Sequence, residues 1–371
     1  MPLLNKEEKN SKGRPWLLLL LNAGIVAVLL LCYAAAAFPP STMGYLALLG
    51  LGYPIVLFLN VLLIVIWAFK KSRYIFISLI AVLVGWGHLT SFFQLSLSPS
   101  IDKEKAQLKV LSYNVHMFDV FDKKNGVATR DKIYDLLVAE KADVLCFQEF
   151  YQSEKSKKFP TRDTLIRFLP TKYYHERYSH VISGQQYFGL TIFSKYPIIK
   201  KGFVPFSTDS YNSCIYVDIV KGDDTLRIYN AHLQSIRFSR EDYELAEGKT
   251  EQDELDDVSK QIARRLKIAF QKRQEQAERL SESIEACPHR IILCGDFNDP
   301  PVSYTYHTLT ERLDDSFKAC GNGVGTTYIG AFPAFRIDYI LHSPELETID
   351  YSTLPDELSD HHPITSTFQW K

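Results

Sequence analysis

The sequence contains few cysteines, six in 371 residues, and no group of Cys and His with the spacing of a zinc site. Cys32 lies in an apolar run, which leaves five cysteines, an odd number, in the rest of the chain. Cys146 and Cys294 stand inside apolar, strand-like segments and are interpreted as small core residues. A zinc finger is therefore excluded, and the cysteine spacing does not support a disulfide framework.

The chain also lacks an excess of positive charge, with 42 Lys and Arg against 43 Asp and Glu. Seven of the basic and two of the acidic residues fall in the first hundred, so residues 101–371 carry 35 basic and 41 acidic residues, a formal net charge of −6. A domain with this balance needs local basic clusters to bind nucleic acid. The clusters at 155–167 and 260–273 are interpreted first as solvated surfaces.

Three long apolar runs occupy the first hundred residues. Residues 16–37, 43–69 and 74–97 contain no Asp, Glu, Lys or Arg. Each run is long enough to cross a hydrocarbon core of about 30 Å as a helix. The sequence therefore predicts a membrane anchor over residues 1–100, with three transmembrane helices and the bilayer as its partner.

The basic residues beside these runs predict the orientation of the anchor. They precede the first run and lie between the second and third, whereas the connection 38–42 has none. Because basic loops stay in the cytoplasm, three crossings place residues 101–371 on the periplasmic or extracellular side. This predicts an integral protein of a bacterial inner or cell membrane, and no protein partner is predicted.

The remaining chain places polar residues at the ends of apolar, strand-like segments. Asp296 and Asn298 follow the run 291–294, and because strand side chains alternate, both point to the same side. A turn explains this pair equally well when it is taken alone. Buried polar groups need partners, however, and a shared site supplies partners for all the strand ends together. The other such residues are Asn114, Glu149, Asn230, His232, Asp338, Asp360 and His361.

In this order the segments resemble the endonuclease/exonuclease/phosphatase superfamily, which includes deoxyribonuclease I, over residues 108–370. The resemblance rests on the Asn114 strand, Gln148-Glu149, residues 189–198, Asn230-Ala231-His232-Leu233, Gly295-Asp296-Phe297-Asn298, residues 336–340 and Ser359-Asp360-His361. It implies an α/β fold for a catalytic domain of residues 101–371. This fold is a four-layer β-sandwich flanked by helices, here preceded by the three transmembrane helices.

The predicted chemistry is metal-dependent hydrolysis of a phosphoester. Glu149 is the first candidate metal ligand, with Asn114 and Asp360 near it, because Mg²⁺ prefers hard oxygen ligands. Mn²⁺ is the alternative ion. The resemblance implies that Asp296 activates or orients the water and that Asn298 fixes the phosphate.

The remaining candidates are two histidines, a carboxylate and a tyrosine. Asp338 is predicted to orient His361, since a carboxylate fixes the tautomer of an imidazole and raises its basicity. His232 is the candidate acid or phosphate-oxygen donor. Tyr187 matches a tyrosine used by the apurinic endonucleases, and an aromatic core residue is the alternative interpretation.

The substrate stays open at this stage. The first hypothesis is a membrane-anchored enzyme for a phosphodiester or phosphomonoester of a lipid headgroup or small molecule, and the second is an exported endonuclease for DNA or RNA. A non-catalytic binding module of the same fold is the third. The acidic segment 237–257 is interpreted as a solvated insertion, with a lid or partner contact as the alternative. Residues 332–335 are apolar enough to compare with the aromatic bilayer-binding hairpin of sphingomyelinases, but they stand too close to Arg336 to form an independent hairpin.

Overall fold

The computed structural model describes residues 15–96, 107–122, 124–206, 212–236, 255–330 and 335–371. The basic residues before the first apolar run lie outside these ranges. So does the acidic segment 237–257, apart from residues 255–257, which begin a helix. Of the apolar segment 332–335, only Phe335 lies within the described residues.

Apolar helices make up the N-terminal part of the described chain. They are α1 (Pro15–Ala37), α2 (Pro40–Leu51), α3 (Tyr53–Phe69), α4 (Ile75–Val84) and α5 (Trp86–Phe92). Within the described ranges, one helix is long and apolar enough by itself to cross a membrane, over Trp16–Ala37. The second apolar run bends by 52° between α2 and α3, and the third bends by 73° between α4 and α5.

The breaks fall at Gly52 and Gly85, inside the second and third predicted spans. The prediction of three spans is met only if each bent pair counts as one span, so the number lies between one and three. Apolar length alone did not reveal these breaks, because glycine in an apolar run leaves its mean hydropathy high.

The C-terminal part contains two sheets of six described strands each. In spatial order, the first holds β13 (Leu346–Thr353), β14 (Ile364–Trp370), β2 (Gln107–Asn114), β3 (Val144–Ser153), β5 (Gln186–Ser194) and β4 (Tyr173–Ile182). The second holds β10 (Asp314–Asp315), β12 (Asp338–His342), β9 (Arg290–Asp296), β8 (Asp224–His232), β7 (Ser213–Lys221) and β6 (Ile198–Val204). Each sheet has one parallel pair at its centre, β2 with β3 and β8 with β9, and its other neighbours are antiparallel.

Helices cover the outer faces of both sheets and complete four layers. The first sheet packs against α6 (Gly126–Glu140) and α7 (Thr161–Phe168). The second packs against α8 (Leu255–Glu285) and α9 (Tyr304–Thr310). A separate apolar core fills the space between the two sheets. Strands that are buried on both faces carry apolar residues on each face, and the residues on the inner faces form this core. The predicted four-layer α/β sandwich is confirmed.

The N-terminal helices pack directly on the sandwich. The Ser41 amide in α2 donates to Gln274 Oε1 in α8 at 2.8 Å. At Gly50 a Cβ would lie 2.7 Å from the Val302 carbonyl oxygen, so this close approach requires glycine. After α5, a short strand β1 (Gln94–Leu95) pairs with β11 (Asn322–Gly323), which follows the short helix α10 (Ser316–Cys320). These contacts join the apolar helices to the sandwich at several points.

Asn230 in β8 ties the two sheets together. Its side-chain amide donates to the carbonyl oxygens of Phe147 and Thr191 in the first sheet, at 2.9 and 3.0 Å. Its Oδ1 accepts from Gln148 Nε2 at 2.6 Å, and both side chains are fully buried. Asn230 and His232 do face the first sheet together, as strand alternation predicts, with Asn230 deeper in the core.

Replacing Asn230 by Ala should lower the free energy of unfolding by about 2–4 kcal/mol, because it leaves buried polar groups without partners. Denaturant unfolding of the purified protein measures this loss. The exposed Asn322→Ala variant is the matched control and should stay within about 0.5 kcal/mol of the wild type. A loss smaller than about 0.5 kcal/mol for Asn230→Ala would show that the packing of the two sheets does not depend on the hydrogen bonds of Asn230.

Candidate active site

The central strands of both sheets end at the same place. In the first sheet, β2 ends at Asn114 and the neighbouring strand β3 carries Glu149 just beyond that level. In the second sheet, His232 at the end of β8 is paired with Asp296 at the end of β9. Parallel strands bring their carboxyl ends to one edge of a sheet. The candidate site therefore lies where the two parallel pairs meet.

Glu149 reaches the site from an irregularity in β3. The register of β3 with β5 shifts between Phe147 and Phe150, and Glu149 has φ of +50°. Such a bulge redirects the side chain of the extra residue. About 30% of the Glu149 side chain is exposed, whereas its neighbour Gln148 is fully buried.

Asn114 connects carboxylates from the two sheets. Its Nδ2 donates to Asp296 Oδ2 at 3.1 Å and lies 3.4 Å from Glu149 Oε1. Its Oδ1 accepts from the amide of His116 at 3.1 Å, which fixes the orientation of the carboxamide. Asn114 is 1% exposed, so its hydrogen-bond donors serve these two carboxylates rather than solvent.

His232 stands between the same two carboxylates. Its Nε2 lies 3.9 Å from Glu149 Oε1 and 3.7 Å from Asp296 Oδ2. These distances are longer than hydrogen bonds but short enough for strong electrostatic interaction. The imidazole is therefore placed to form a hydrogen bond with whatever enters between them.

Asp338 and His361 form a buried pair beside Asp296. His361 Nδ1 lies 2.8 Å from Asp338 Oδ2, and Nε2 lies 3.7 Å from Asp296 Oδ2. Burial opposes protonation of His361, but the negative charges of Asp338 and Asp296 outweigh it and raise the pKa of the imidazole to about 10. Burial also raises the pKa of Asp296, with His361 acting against that shift.

Asp360 and Asn298 lie at the edge of this cluster. Ser359 Oγ donates to the Asn114 carbonyl at 2.8 Å and lies 3.2 Å from Asp360 Oδ1, so it links Asp360 to the Asn114 strand. The Asn298 amide donates to Asp296 Oδ1 at 2.8 Å, and its side chain donates to the Leu233 carbonyl. Ser359 was part of the quoted motif Ser359-Asp360-His361, but no role was predicted for it.

Gly295 makes the close packing before Asp296 possible. Its φ is +150°, and a Cβ there would lie 2.0 Å from the Ala231 carbonyl oxygen. A second supporting residue, Thr327, accepts from the amides of Ile337 and Asp338 at 3.0 and 3.1 Å and fixes the start of β12. Thr327 does not stand at the end of an apolar, strand-like segment, so the sequence did not indicate this supporting role.

The structure does not bring Tyr187 into this cluster. Its hydroxyl donates to the Gly184 carbonyl at 2.8 Å in the turn between β4 and β5. Its ring packs 4.9 Å from that of Tyr178, while the next residue, Phe188, faces the cleft beside Glu149. Because neighbouring strand residues point to opposite faces, Tyr187 lies on the far side of β5.

The charge of the cluster suits a divalent cation. Among the described residues, no Lys or Arg lies within 4.0 Å of the carboxylates of Glu149, Asp296, Asp338 or Asp360. Asp338 Oδ1 is buried and has no hydrogen-bond partner in the described chain. Oxygen donors with no Lys or Arg beside them fit Mg²⁺ or a similar ion. One ligand atom each from Asp296, Asp338 and His361 also lie within 4.8 Å of one another.

A cleft of 410 Å³ opens beside Glu149 and His232. Two aromatic rings, Phe121 and Phe188, lie nearly parallel on its wall with centres 6.5 Å apart. The described residues that line it include no Lys or Arg. They are Met117, Phe121, Glu149, Ser179, His180, Ile182, Phe188, Gly189, Leu190, Asn212, His232 and Ser235.

A model of the Endonuclease/Exonuclease/phosphatase family matches residues 111–361. The chain belongs to this family. A domain of unknown function matches residues 15–92, and no curated protein sequence matches the chain. Members of the family are metal-dependent hydrolases of phosphoesters, and this protein is a hydrolase of that class.

Solved structures of low sequence identity share the fold. A family protein from Bacteroides thetaiotaomicron is 17% identical with a TM-score of 0.52, over 72% of this chain and 99% of its own. One from Leptotrichia buccalis is 18% identical with a TM-score of 0.51, over 70% and 98%. The human nocturnin catalytic domain is 15% identical with a TM-score of 0.51, over 73% and 96%. The family and the fold are confirmed, whereas the roles of the individual site residues stay predictions.

Replacing Asp338 by Asn should lower the pKa of His361 from about 10 toward the ordinary value of about 6.5, because the imidazolium loses its main counter-charge. NMR titration of labelled histidines in chelator-treated protein measures this change. The stabilisation from His361 protonation is complete below pH ~6.5 and disappears as the pH rises through the raised pKa. The exposed Asp314→Asn variant should leave His361 unchanged, and an equally unchanged value in Asp338→Asn would contradict the pairing.

Proposed function

We propose that this protein is a membrane-anchored phosphoesterase that hydrolyses a phosphodiester or phosphomonoester with the help of a divalent ion. The observation that carries this proposal is the meeting of carboxylates from both sheets around His232 and His361, with Glu149 and His232 also lining the cleft. Charged groups buried this closely are costly unless an ion and a substrate complete their interactions.

Glu149, Asn114 and Asp360 would hold the ion, which is Mg²⁺ or alternatively Mn²⁺. Glu149 offers a partly exposed carboxylate at the cleft, and Ser359 links Asp360 to Asn114. A bound divalent ion supplies Lewis-acid stabilisation of the negative charge that develops on the phosphoryl oxygens. The close group of Asp296, Asp338 and His361 is less suited to the ion, since a protonated imidazole cannot be a ligand.

Asp296 is proposed to take the proton of the attacking water. Its raised pKa makes the carboxylate a stronger base, and the Asn298 amide fixes the orientation of one of its oxygens at 2.8 Å. The Asn298 side chain, fixed to the Leu233 carbonyl, is proposed to position the phosphate beside His232.

The two histidines are proposed to serve the phosphate and the leaving oxygen. His361, kept protonated by Asp338, would donate from Nε2 to a phosphoryl oxygen. His232, 3.7 Å from Asp296, would donate a proton to the leaving oxygen. Tyr187 is given no role in this proposal, because its hydroxyl is bonded to Gly184.

The cleft favours a substrate with an apolar part. Its wall of Met117, Phe121, Phe188 and Leu190 would exclude water from a hydrocarbon or aromatic group next to the phosphate. Nucleic acid is less well supported, since the described cleft lining contains no Lys or Arg. In the basic cluster at 155–167, Arg162 is already paired with Asp163 and Glu176.

The full chain in detergent should hydrolyse bis(p-nitrophenyl) phosphate with Mg²⁺, and EDTA should remove the activity. Glu149→Gln should lower kcat by at least about 100-fold while the Tm stays nearly constant, whereas His361→Ala should lower kcat by a similar factor and also lower the Tm, because it leaves Asp338 buried without its counter-charge. Glu154→Gln, on the exposed segment after β3, is the matched control and should keep full activity. Turnover that survives EDTA would contradict the metal-dependent mechanism.

A substrate panel separates the remaining hypotheses. With sphingomyelin, phosphatidylinositol phosphates, isoprenoid pyrophosphates, plasmid DNA and RNA as substrates, we expect the highest kcat/KM for one of the lipids. Preferred cleavage of DNA or RNA would establish the nuclease hypothesis instead. Absence of turnover on every substrate, together with retained folding, would indicate the non-catalytic module.

The anchor is proposed to place the catalytic domain of residues 101–371 on the periplasmic or extracellular side. The positive charges before the first apolar run and between residues 69 and 74 support this orientation. A reporter that fluoresces only in the cytoplasm, fused after Lys371, should stay dark, while a periplasmic phosphatase fusion at the same position should be active. A bright cytoplasmic fusion would reverse the orientation.

A further inference from the structure

Arg336 occupies an unusual environment just before β12. The residue is 2% exposed, and its guanidinium lies 5.6, 4.5 and 4.6 Å from the ring centres of Tyr306, Phe317 and Tyr339. Its Nη2 donates to Asp315 Oδ2 at 2.7 Å, and both side chains of this ion pair are 1% exposed. A charge buried to this degree depends on every acceptor within reach.

The second acceptor comes from the N-terminal helices. Arg336 Nη2 also donates to the backbone carbonyl of Ser91, in the last turn of α5, at 2.9 Å. The Nε and Nη1 atoms are buried without an acceptor in the described chain. The helical region therefore provides one of only two acceptors that the described residues offer to this guanidinium.

The backbone at Arg336 leads directly into the site. Two residues later, Asp338 holds His361 Nδ1 at 2.8 Å. Between them, the Ile337 carbonyl accepts from the amide of Phe297, the residue after Asp296, at 2.8 Å. A shift at Arg336 thus reaches Asp338 and Asp296 through the backbone.

We propose that the N-terminal helices position the catalytic residues through Arg336, in addition to holding the protein at the membrane. With α5 in place, the Ser91 carbonyl and the aromatic rings keep Arg336 buried, and β12 starts where Asp338 can hold His361. When α5 moves away, the guanidinium loses an acceptor and gains access to water, which releases the start of β12. Arg336 is a positioning residue in this proposal, which rests on the proposed phosphoesterase function.

The test uses the full chain in detergent micelles with variants on each side of the contact. Arg336→Met removes the guanidinium, and Phe92→Ala loosens α5 beside Ser91 by removing a ring that packs 5.0 Å from Tyr53. Each variant should lower kcat for bis(p-nitrophenyl) phosphate by on the order of 10-fold, with KM changed less than about twofold. Arg312→Met, which breaks an exposed ion pair with Glu285, is the matched control and should keep the wild-type kcat.

The double variant distinguishes a shared route from two separate losses of stability. If α5 acts through Arg336, Phe92→Ala should add little further loss of kcat to Arg336→Met. Multiplied effects of the two changes, or wild-type kcat in either folded single variant, would overturn the proposal.

Amide hydrogen exchange of residues 337–342 tests the same coupling without turnover. Phe92→Ala should speed exchange in β12 while leaving β7, at the other side of the second sheet, unchanged. Unchanged exchange in β12 would overturn the proposal even in an active enzyme. Faster exchange in β12 with an inactive wild-type protein would support the contact and contradict the proposed function alone.

Discussion

The site depends on the cost of burying several carboxylates in one place. Glu149 comes from the first sheet and Asp296 from the second, and the Asn114 amide lies between them. Without such donors the negative charges would repel each other in a medium where water cannot screen them. His361, charged because of Asp338, contributes the compensating positive charge that the described chain itself supplies. The sandwich and its strand ends can be understood as the frame that keeps these groups at these distances.

Much of this arrangement could be predicted from residues alone. Apolar segments that end in Asn, Glu, Asp or His are informative because a buried strand has few reasons to end in a polar group. Order along the chain then indicated the family, which the match over residues 111–361 confirmed. The four-layer fold followed from the family, and strand alternation correctly put Asn230 and His232 on one face.

Other features could not be predicted, for identifiable physical reasons. The bends at Gly52 and Gly85 were hidden in uniformly apolar runs, so the number of spans was set by length alone. Tyr187 matched a family position, but the alternation of β5 turned its side chain away from the cleft. Supporting groups such as Thr327 act through hydrogen bonds to a separate segment, here the amides of Ile337 and Asp338, which no local pattern encodes.

Each sheet alone contains only half of the proposed reactive centre. Glu149 and Asn114 belong to the first sheet, while His232, Asp296 and Asp338 belong to the second. The hydrogen bonds of Asn230 to the first sheet hold the two halves together. A chain in which only one sheet has formed therefore lacks half of the proposed site. The proposed activity would arise only on closure of the sandwich, so a partly folded molecule would be inert toward any phosphoester it meets.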